Sequence, residues 1–268
     1  MGKPKNIELV NGLVIPILYE DRSVMGIDKP AGWLLAPDSW EHTGRNLQLA
    51  LNSSIQARDF WAQSRNLRFL RFVHRLDADT SGVLLLAKSL GAVTVYTGLF
   101  ETRSVEKVYL AAVQGVPKEK QWTCRAMLAP QPGSIGRMIV DNRNGKDAET
   151  HFRVLATREN SALVEAHPTT GRTHQIRVHL AESGYPVVND PLYGPHAAKP
   201  SKGFVRLALR AVKLSYPDPF LKRLVYITAP TEEFIREFGF RPADFPARPV
   251  KPAIQRETKN PKPEDPGK

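Results

Sequence analysis

The chain has 268 residues, a hydrophobic fraction of 41% and a formal net charge of +11. Its apolar runs fall short of the roughly 20 residues that span a bilayer. Met1-Gly2-Lys3-Pro4-Lys5 starts no apolar signal segment, and the single Cys124 excludes an internal disulfide and a cysteine-based zinc cluster. These features predict a soluble cytoplasmic protein with a substantial core in one large domain or two small ones, and the basic balance favours a polyanionic partner, because neutralising phosphates releases condensed counterions.

In chain order, residues 1–12 read as a flexible leader. Residues 14–19 and 24–28 read as strands joined by the polar turn Asp21-Arg22-Ser23. Residues 46–57 read as a helix. Residues 67–73 and 83–88 read as strands on either side of an acidic loop. Ser89 is placed to cap a helix running to about Thr102, with Val93, Tyr96, Thr97 and Phe100 at helical spacing on its core face. Residues 106–114 form an apolar strand. Residues 136–140 and 149–155 bracket Asn142-Arg143-Asn144-Gly145, a strong hairpin signal. A strand at 162–166 precedes a helix at 173–183 that ends at Gly184. Late strands fall at 205–214 and 224–227. Pro230-Thr231-Glu232-Glu233 opens a last helix with acids in its first turn, where the helix dipole favours them.

From residue 241 onward the composition changes. Pro242, Pro246, Pro249, Pro252, Pro261, Pro263 and Pro266 alternate with Lys and Arg. Such a segment lacks the apolar surface to order itself, so residues 241–268 read as a flexible basic tail. Strands following one another with few long helices between them predict an α+β fold, a mixed and mostly antiparallel central sheet with flanking helices.

The most informative segment is His74-Arg75-Leu76-Asp77-Ala78-Asp79-Thr80-Ser81-Gly82. It places a carboxylate two positions after a cation, ahead of a tight turn and between two buried strands. Loops carried by a rigid scaffold are where reactive groups usually sit. The plainer alternative is a structural aspartate whose side chain caps Thr80 or Ser81.

This segment matches His-Arg-Leu-Asp-x-x-Thr-Ser-Gly, the signature of the RluA-type pseudouridine synthases, which the chain resembles along most of its length. Lys29-Pro30-Ala31-Gly32 resembles the family's opening element and Lys107-Val108-Tyr109-Leu110-Ala111 its tyrosine strand. Gly145-Lys146-Asp147-Ala148-Glu149-Thr150 resembles its central hairpin. The run from Gly171 to Leu180, with Arg172-Thr173-His174-Gln175-Ile176-Arg177, resembles its second strong motif, and Asn189-Asp190-Pro191-Leu192-Tyr193-Gly194 follows in the expected order.

The resemblance implies a pseudouridine-synthase fold over residues 13–240 with an RNA-binding cleft, and isomerisation of uridine to pseudouridine in ribosomal or transfer RNA. Only about a dozen residues precede the first strand, so the resemblance is to a catalytic domain without the S4-type RNA-binding module. Uridine and pseudouridine contain the same atoms at the same oxidation level, so the reaction calls for no cofactor. Neither a P-loop nor a Rossmann fingerprint is present.

By the same resemblance Asp77 is the carboxylate at the sugar–base junction. It attacks C1′, adds to C6 or removes a ribose proton, and the sequence leaves the three open. A charged Asp in a dry pocket needs a cationic partner, which the resemblance assigns to Arg177. Tyr109 lies against the target base, to stack on it or to accept or relay the C5 proton, and Lys107 supports the site. The target nucleotide must be flipped out of its stack. Arg75 fills the vacated space or grips a phosphate, and His74, Arg172, Thr173, His174 and Gln175 complete the expected RNA contacts, although His74 also reads as hydrogen-bonded within its own loop.

His167, His174 and His179 fit no common zinc spacing, so no metal is expected. The sequence departs from the family pattern at Leu209-Arg210-Ala211 and at Leu35-Ala36-Pro37, which puts substrate choice rather than the reaction in question. A non-catalytic RNA binder or RNA chaperone is the second reading. A phosphotransferase is a weaker third, because Leu76 breaks the kinase His-Arg-Asp spacing and no glycine-rich nucleotide loop accompanies it.

Overall fold

The computed structural model describes residues 2–10, 12–35, 44–195 and 206–241. The chain opens as an antiparallel meander of β1 (Asn6–Glu8), β2 (Val14–Glu20) and β3 (Val24–Lys29). The expected flexible leader is thus corrected. Ile7 and Leu9 are buried and β1 pairs with β2 in register, the apolar alternation of a half-buried strand being enough to order it. The proline-rich tail lies outside the described residues from 242 onward.

Helix α1 (Leu47–Gln56) starts where the Asn46 side chain accepts the Leu49 N–H at 3.1 Å. A short α2 (Phe60–Gln63) follows. β4 (Arg71–Phe72) is far shorter than the strand expected at 67–73, and β5 (Ser81–Ala87) begins on the far side of the acidic loop. Ser89 caps α3 (Leu90–Glu101), accepting the Ala92 N–H at 3.2 Å.

Then come β6 (Glu106–Gln114), β7 (Gln121–Cys124), β8 (Leu128–Pro130), β9 (Met138–Val140), β10 (Thr150–Arg158) and β11 (Ser161–Pro168). Helix α4 (Gln175–Glu182), β12 (Leu209–Pro217), β13 (Leu224–Thr228) and α5 (Glu232–Glu237) complete the order.

The main sheet runs β1-β2-β3-β5-β12-β6-β11-β10-β7, with β13 on β12 and β4 on β5. Among these pairings only β5 with β12 is parallel, so the mixed, mostly antiparallel sheet matches the expectation. All seven residues of β5 are buried. Leu84 and Leu86 join the main core, while Val83, Leu85 and Ala87 pack with Ala92 and Tyr96 of α3. Burial on both faces explains why this strand reads as an unbroken apolar run instead of an alternation.

The expected hairpin between 136–140 and 149–155 does not form. β9 pairs with β8, and β10 pairs with β7 and β11. The turn itself is real, since the Asp141 carboxylate accepts the N–H groups of Arg143 and Asn144 and the Asp141 carbonyl that of Gly145. It delivers the chain to Leu128, bonded in both directions with Lys146, instead of back along β9. A turn signal specifies a reversal, and tertiary packing chooses the strand that receives it.

Candidate active site

The acidic loop is anchored from beneath. Lys29, at the end of β3, is fully buried and donates to the carbonyls of Pro30 at 3.0 Å, Ala78 at 2.7 Å and Thr80 at 2.9 Å. These acceptors use all three donors of an ammonium group. Burial lowers the Lys29 pKa to about 7, against the pull of Asp79 and Asp77. Gly82 sits at φ +112°, and a Cβ there would lie 2.0 Å from the Ala211 carbonyl oxygen. Only glycine lets β12 pair this closely with β5, directly after the loop.

Asp77 emerges from that loop into a cavity of about 400 Å³, lined also by Tyr109, His174, Arg177 and Leu209. Its side chain is 16% exposed. Among the described residues its carboxylate accepts no hydrogen bond from Thr80 or Ser81, the turn being closed through the backbone by the Thr80 N–H on the Asp77 carbonyl at 3.2 Å. The group is therefore not spent on capping.

Arg177 projects from α4 with its side chain 2% exposed, and its Nη1 stands 3.7 Å from Asp77 Oδ2. Its stronger partner is one that sequence reasoning missed. Nε and Nη2 each donate at 2.8 Å to the two carboxylate oxygens of Asp190. Asp190 Oδ1 also accepts the N–H groups of Leu192 and Tyr193. Burial works against both charges, but the mutual hydrogen bonds and charge prevail, so Asp190 is held below the usual carboxylate range and Arg177 is raised. The available signal was Asn189-Asp190-Pro191-Leu192-Tyr193-Gly194, a segment that looks like a loop until its partner is known.

Tyr193 continues the network. Its ring lies 5.2 Å from the Arg177 guanidinium carbon, a cation–π distance. Its hydroxyl accepts the Met138 N–H at 2.8 Å and lies 2.9 Å from His174 Nδ1. The arrangement that satisfies both groups has the hydroxyl donating to Nδ1, which assigns the His174 proton to Nε2. That nitrogen faces Asp77 Oδ2 at 3.9 Å. Burial lowers the His174 pKa despite the nearby Asp77, so the ring is neutral at physiological pH.

Tyr109, on β6, is 9% exposed on the cavity wall. Burial, and secondarily the charge of Asp77, raise its pKa. The phenol keeps its proton at neutral pH, which favours stacking or a concerted relay over a resident phenolate base. Lys107 lies on the same strand and donates to the Thr170 carbonyl at 2.7 Å. Burial lowers its pKa to about 8.

Two of the expected RNA contacts are engaged within the fold. The His74 Nε2 accepts the Leu85 N–H at 3.0 Å and the ring stacks on Phe100 with centroids 4.5 Å apart. Burial, followed by the charge of Lys107, lowers its pKa to about 3. It borders the cavity as a neutral ring tied to β5, consistent with the reading that kept it bonded locally. Gln175 is buried, and its amide is consumed by Thr170, Thr150, the Arg172 N–H and the Glu149 carbonyl. It shapes the 171–174 loop and has no group left for RNA. Arg75, Arg172 and Thr173 do line the cavity, with Arg75 exposed and Arg172 Nε on the Asp147 carbonyl at 2.9 Å.

Among the described residues no three His, Cys, Asp or Glu side chains cluster as metal ligands. His179 is buried between Thr150 and the Ala126 carbonyl, and His167 pairs with Glu165. Arg210 points away from the cleft. It is buried, with Nη2 2.6 Å from Asp28 and Nε on the Pro230 carbonyl at 2.9 Å. This sequence departure is a structural ion pair, not a rim residue. Of the other departure, Leu35 is buried and Ala36-Pro37 lie outside the described residues.

One half-buried acid, steered by a guanidinium and rimmed by cations, is suited to work on a base attached to a polyanionic backbone. The model of the RNA pseudouridylate synthase family matches residues 23–182. Ribosomal large subunit pseudouridine synthase C of Vibrio parahaemolyticus is 34% identical over 236 residues, covering 85% of this chain and 70% of that protein. Its namesake from Escherichia coli is 33% identical over 237 residues, covering 86% and 71%. Two solved human structures, RNA pseudouridylate synthase domain containing 1 and 4, superpose with TM-scores of 0.64 and 0.65, each at 26% identity. They cover 81% and 80% of this chain, and the matches span 83% and 87% of their own chains.

The chain belongs to the RNA pseudouridylate synthase family. It is an isomerase that converts uridine in RNA to pseudouridine.

Proposed function

We propose that the substrate is large-subunit ribosomal RNA, that Asp77 is the reacting carboxylate, and that Arg177 and Tyr109 assist it. The observation that carries the site assignment is the 3.7 Å approach of Arg177 to Asp77 in the cavity that Tyr109 also lines. The names of the relatives support a ribosomal substrate.

The reaction breaks N1–C1′, turns the uracil and forms C5–C1′, after which the C5 proton leaves. A stacked uridine is out of reach, so the nucleotide flips into the cavity. Attack on C1′, addition to C6 and removal of a ribose proton each require one carboxylate held at the sugar–base junction, and fixed geometry is itself a large part of the rate. Arg177 steers that carboxylate and offsets its charge. The Tyr109 ring supports the base and its hydroxyl can relay the C5 proton. Arg75, Arg172, Thr173 and Lys107 grip the backbone around the flipped nucleotide, and His174 offers its Nε2 proton to the sugar side. Residues 13–240 act as the catalytic domain in the cytoplasm, and the basic tail adds sequence-blind attraction for RNA.

The test is pseudouridine-specific chemical mapping of total RNA from deletion cells and from cells complemented with wild type or Asp77→Asn. The expected result is a ribosomal site lost on deletion, restored by wild type and not by the variant. Loss confined to transfer RNA would overturn the substrate, and restoration by Asp77→Asn would overturn the catalytic assignment. In vitro, Asp77→Asn should lower tritium release from 5-tritiated uridine in RNA by about 10³-fold or more while leaving RNA affinity and melting temperature near those of wild type.

A further inference from the structure

A second concavity, of about 1000 Å³, lies at the opposite end of β5 from the acidic loop. Lys3, Arg22, Arg65, Arg68 and Lys88 border it, together with Glu20 and Asp21. Five cations and two carboxylates leave it a net charge of +3. Both carboxylates are already occupied. Glu20 is bound by Arg65 at 2.8 Å and Lys88 at 2.6 Å. Asp21 accepts the N–H groups of Ser23 and Val24 and the Tyr19 hydroxyl. Arg22 and Arg68 are exposed, and among the described residues neither has an ion-pair partner. The wall between them is rigid, because the Arg65 side chain is 4% exposed and also donates to the carbonyls of Pro4 and Trp61.

Glu20 is shared among Lys3, Arg65 and Lys88, so the surplus positive charge rests on Arg22 and Arg68, and a hollow whose cations outnumber its acids attracts a polyanion. The groove is also correctly placed for one. Lys88 follows the last residue of β5, and Ser81 at the other end adjoins the Asp77 loop. Six to seven residues of strand separate the two sites by about 20 Å, or about six nucleotides along one strand of a duplex. From Arg68 the chain returns to the cleft, with exposed Arg71 opposite Ala87 near the groove and exposed Arg75 on the cleft wall, so each end of this run adds a cation. We propose that the groove between Arg22 and Arg68 is a second phosphate-binding surface, which grips the substrate RNA about 20 Å from the uridine being isomerised. The proposal rests on RNA being the substrate and not on which RNA it is.

The test compares Arg22→Gln/Arg68→Gln with wild type and with Lys118→Gln/Arg236→Gln, a control that removes the same charge from exposed positions elsewhere. The binding probe is a hairpin of about 12 base pairs, long enough to reach from cleft to groove, titrated at several salt concentrations. The groove variant should bind about tenfold more weakly, and its log–log salt slope should be smaller by about 1.4 to 1.8, the value for two lost phosphate contacts. Tritium release at saturating labelled total RNA from deletion cells should match wild type, because neither residue lines the cleft. An unchanged salt slope, or an equal loss in the control, would overturn the proposal. A fall in turnover at saturating RNA would overturn it too, by placing these residues in the chemistry.

Discussion

Arg177 is held by Asp190 through two 2.8 Å hydrogen bonds, and this leaves its third nitrogen facing Asp77 at 3.7 Å. The guanidinium is shared unequally. The buried fork to Asp190 fixes its position, and the looser approach to Asp77 leaves that carboxylate free for a substrate. One cation thus has two acidic partners, one bound by a buried fork and one approached more loosely.

That division makes Asp190→Asn informative. Removing one charge of a buried pair strands the other, at a cost of about 3 kcal/mol or more. Urea denaturation should show that loss. Tritium release should fall by roughly 10²-fold, because a guanidinium freed from its fork no longer steers Asp77. A variant with wild-type stability and turnover would show that Asp190 does not position Arg177.

Lys29 predicts a pH dependence of stability. Its folded pKa of about 7 lies below the ordinary lysine value of 10.5, so between these limits the unfolded chain holds more protons than the native one. This residue's contribution to stability therefore rises as pH rises from 7 toward 10.5. Denaturation midpoints at pH 7.5 and 9.5 should shift upward in wild type relative to Lys29→Met. Parallel shifts in the two proteins would contradict a depressed ammonium. The variant should also lose turnover, since the carbonyls of Ala78 and Thr80 on either side of the loop tip lose their common donor.

His74 works on the acid side. It must be neutral to accept the Leu85 N–H, and its pKa falls from 6.5 to about 3 on folding. The associated stability is complete above pH 6.5 and is lost progressively as pH drops toward 3. His74→Gln places a non-titrating acceptor at the same position, so its stability should decline less steeply between pH 6.5 and 4. RNA affinity should be unchanged, because the ring is tied to β5. A weaker RNA complex with an unaltered acid profile would restore His74 to the RNA interface.

Gly82→Ala should leave little soluble protein. Its Cβ would meet the Ala211 carbonyl oxygen at 2.0 Å at a positive φ, which combines steric and backbone strain at about 4 kcal/mol or more. A stable, active variant would mean that β5 and β12 pair more loosely.

The sequence exposed much of this molecule, unevenly. The continuous apolar run of β5, the Ser89 cap and the Tyr96 stripe of α3 were legible because local pattern and burial agree there. The short strands β7 and β8 were not, nor was the true partner of β9, because three or four residues carry too little periodicity to outweigh a turn signal. The motifs singled out Asp77, Tyr109 and Arg177, and the fold brings the three to one cavity. The internal bonds of His74 and Gln175 were not legible, because an RNA-facing and an inward-bonded role suit the same letters, and only the Leu85 N–H and the Thr170–Glu149 cage show where their side chains are tied.

The linear order of residues by itself determined the chemical repertoire of this protein. A signature loop carrying Asp77, a tyrosine strand and a strongly basic balance are all covalent facts. Only the folded chain decided how charge is allocated, giving Arg177 to Asp190 before Asp77, Arg210 to Asp28, and Arg22 and Arg68 to an open groove. The physical reason is distance. Coulombic and hydrogen-bond energies depend on ångström separations between residues far apart along the chain, and those separations exist only once the sheet has closed.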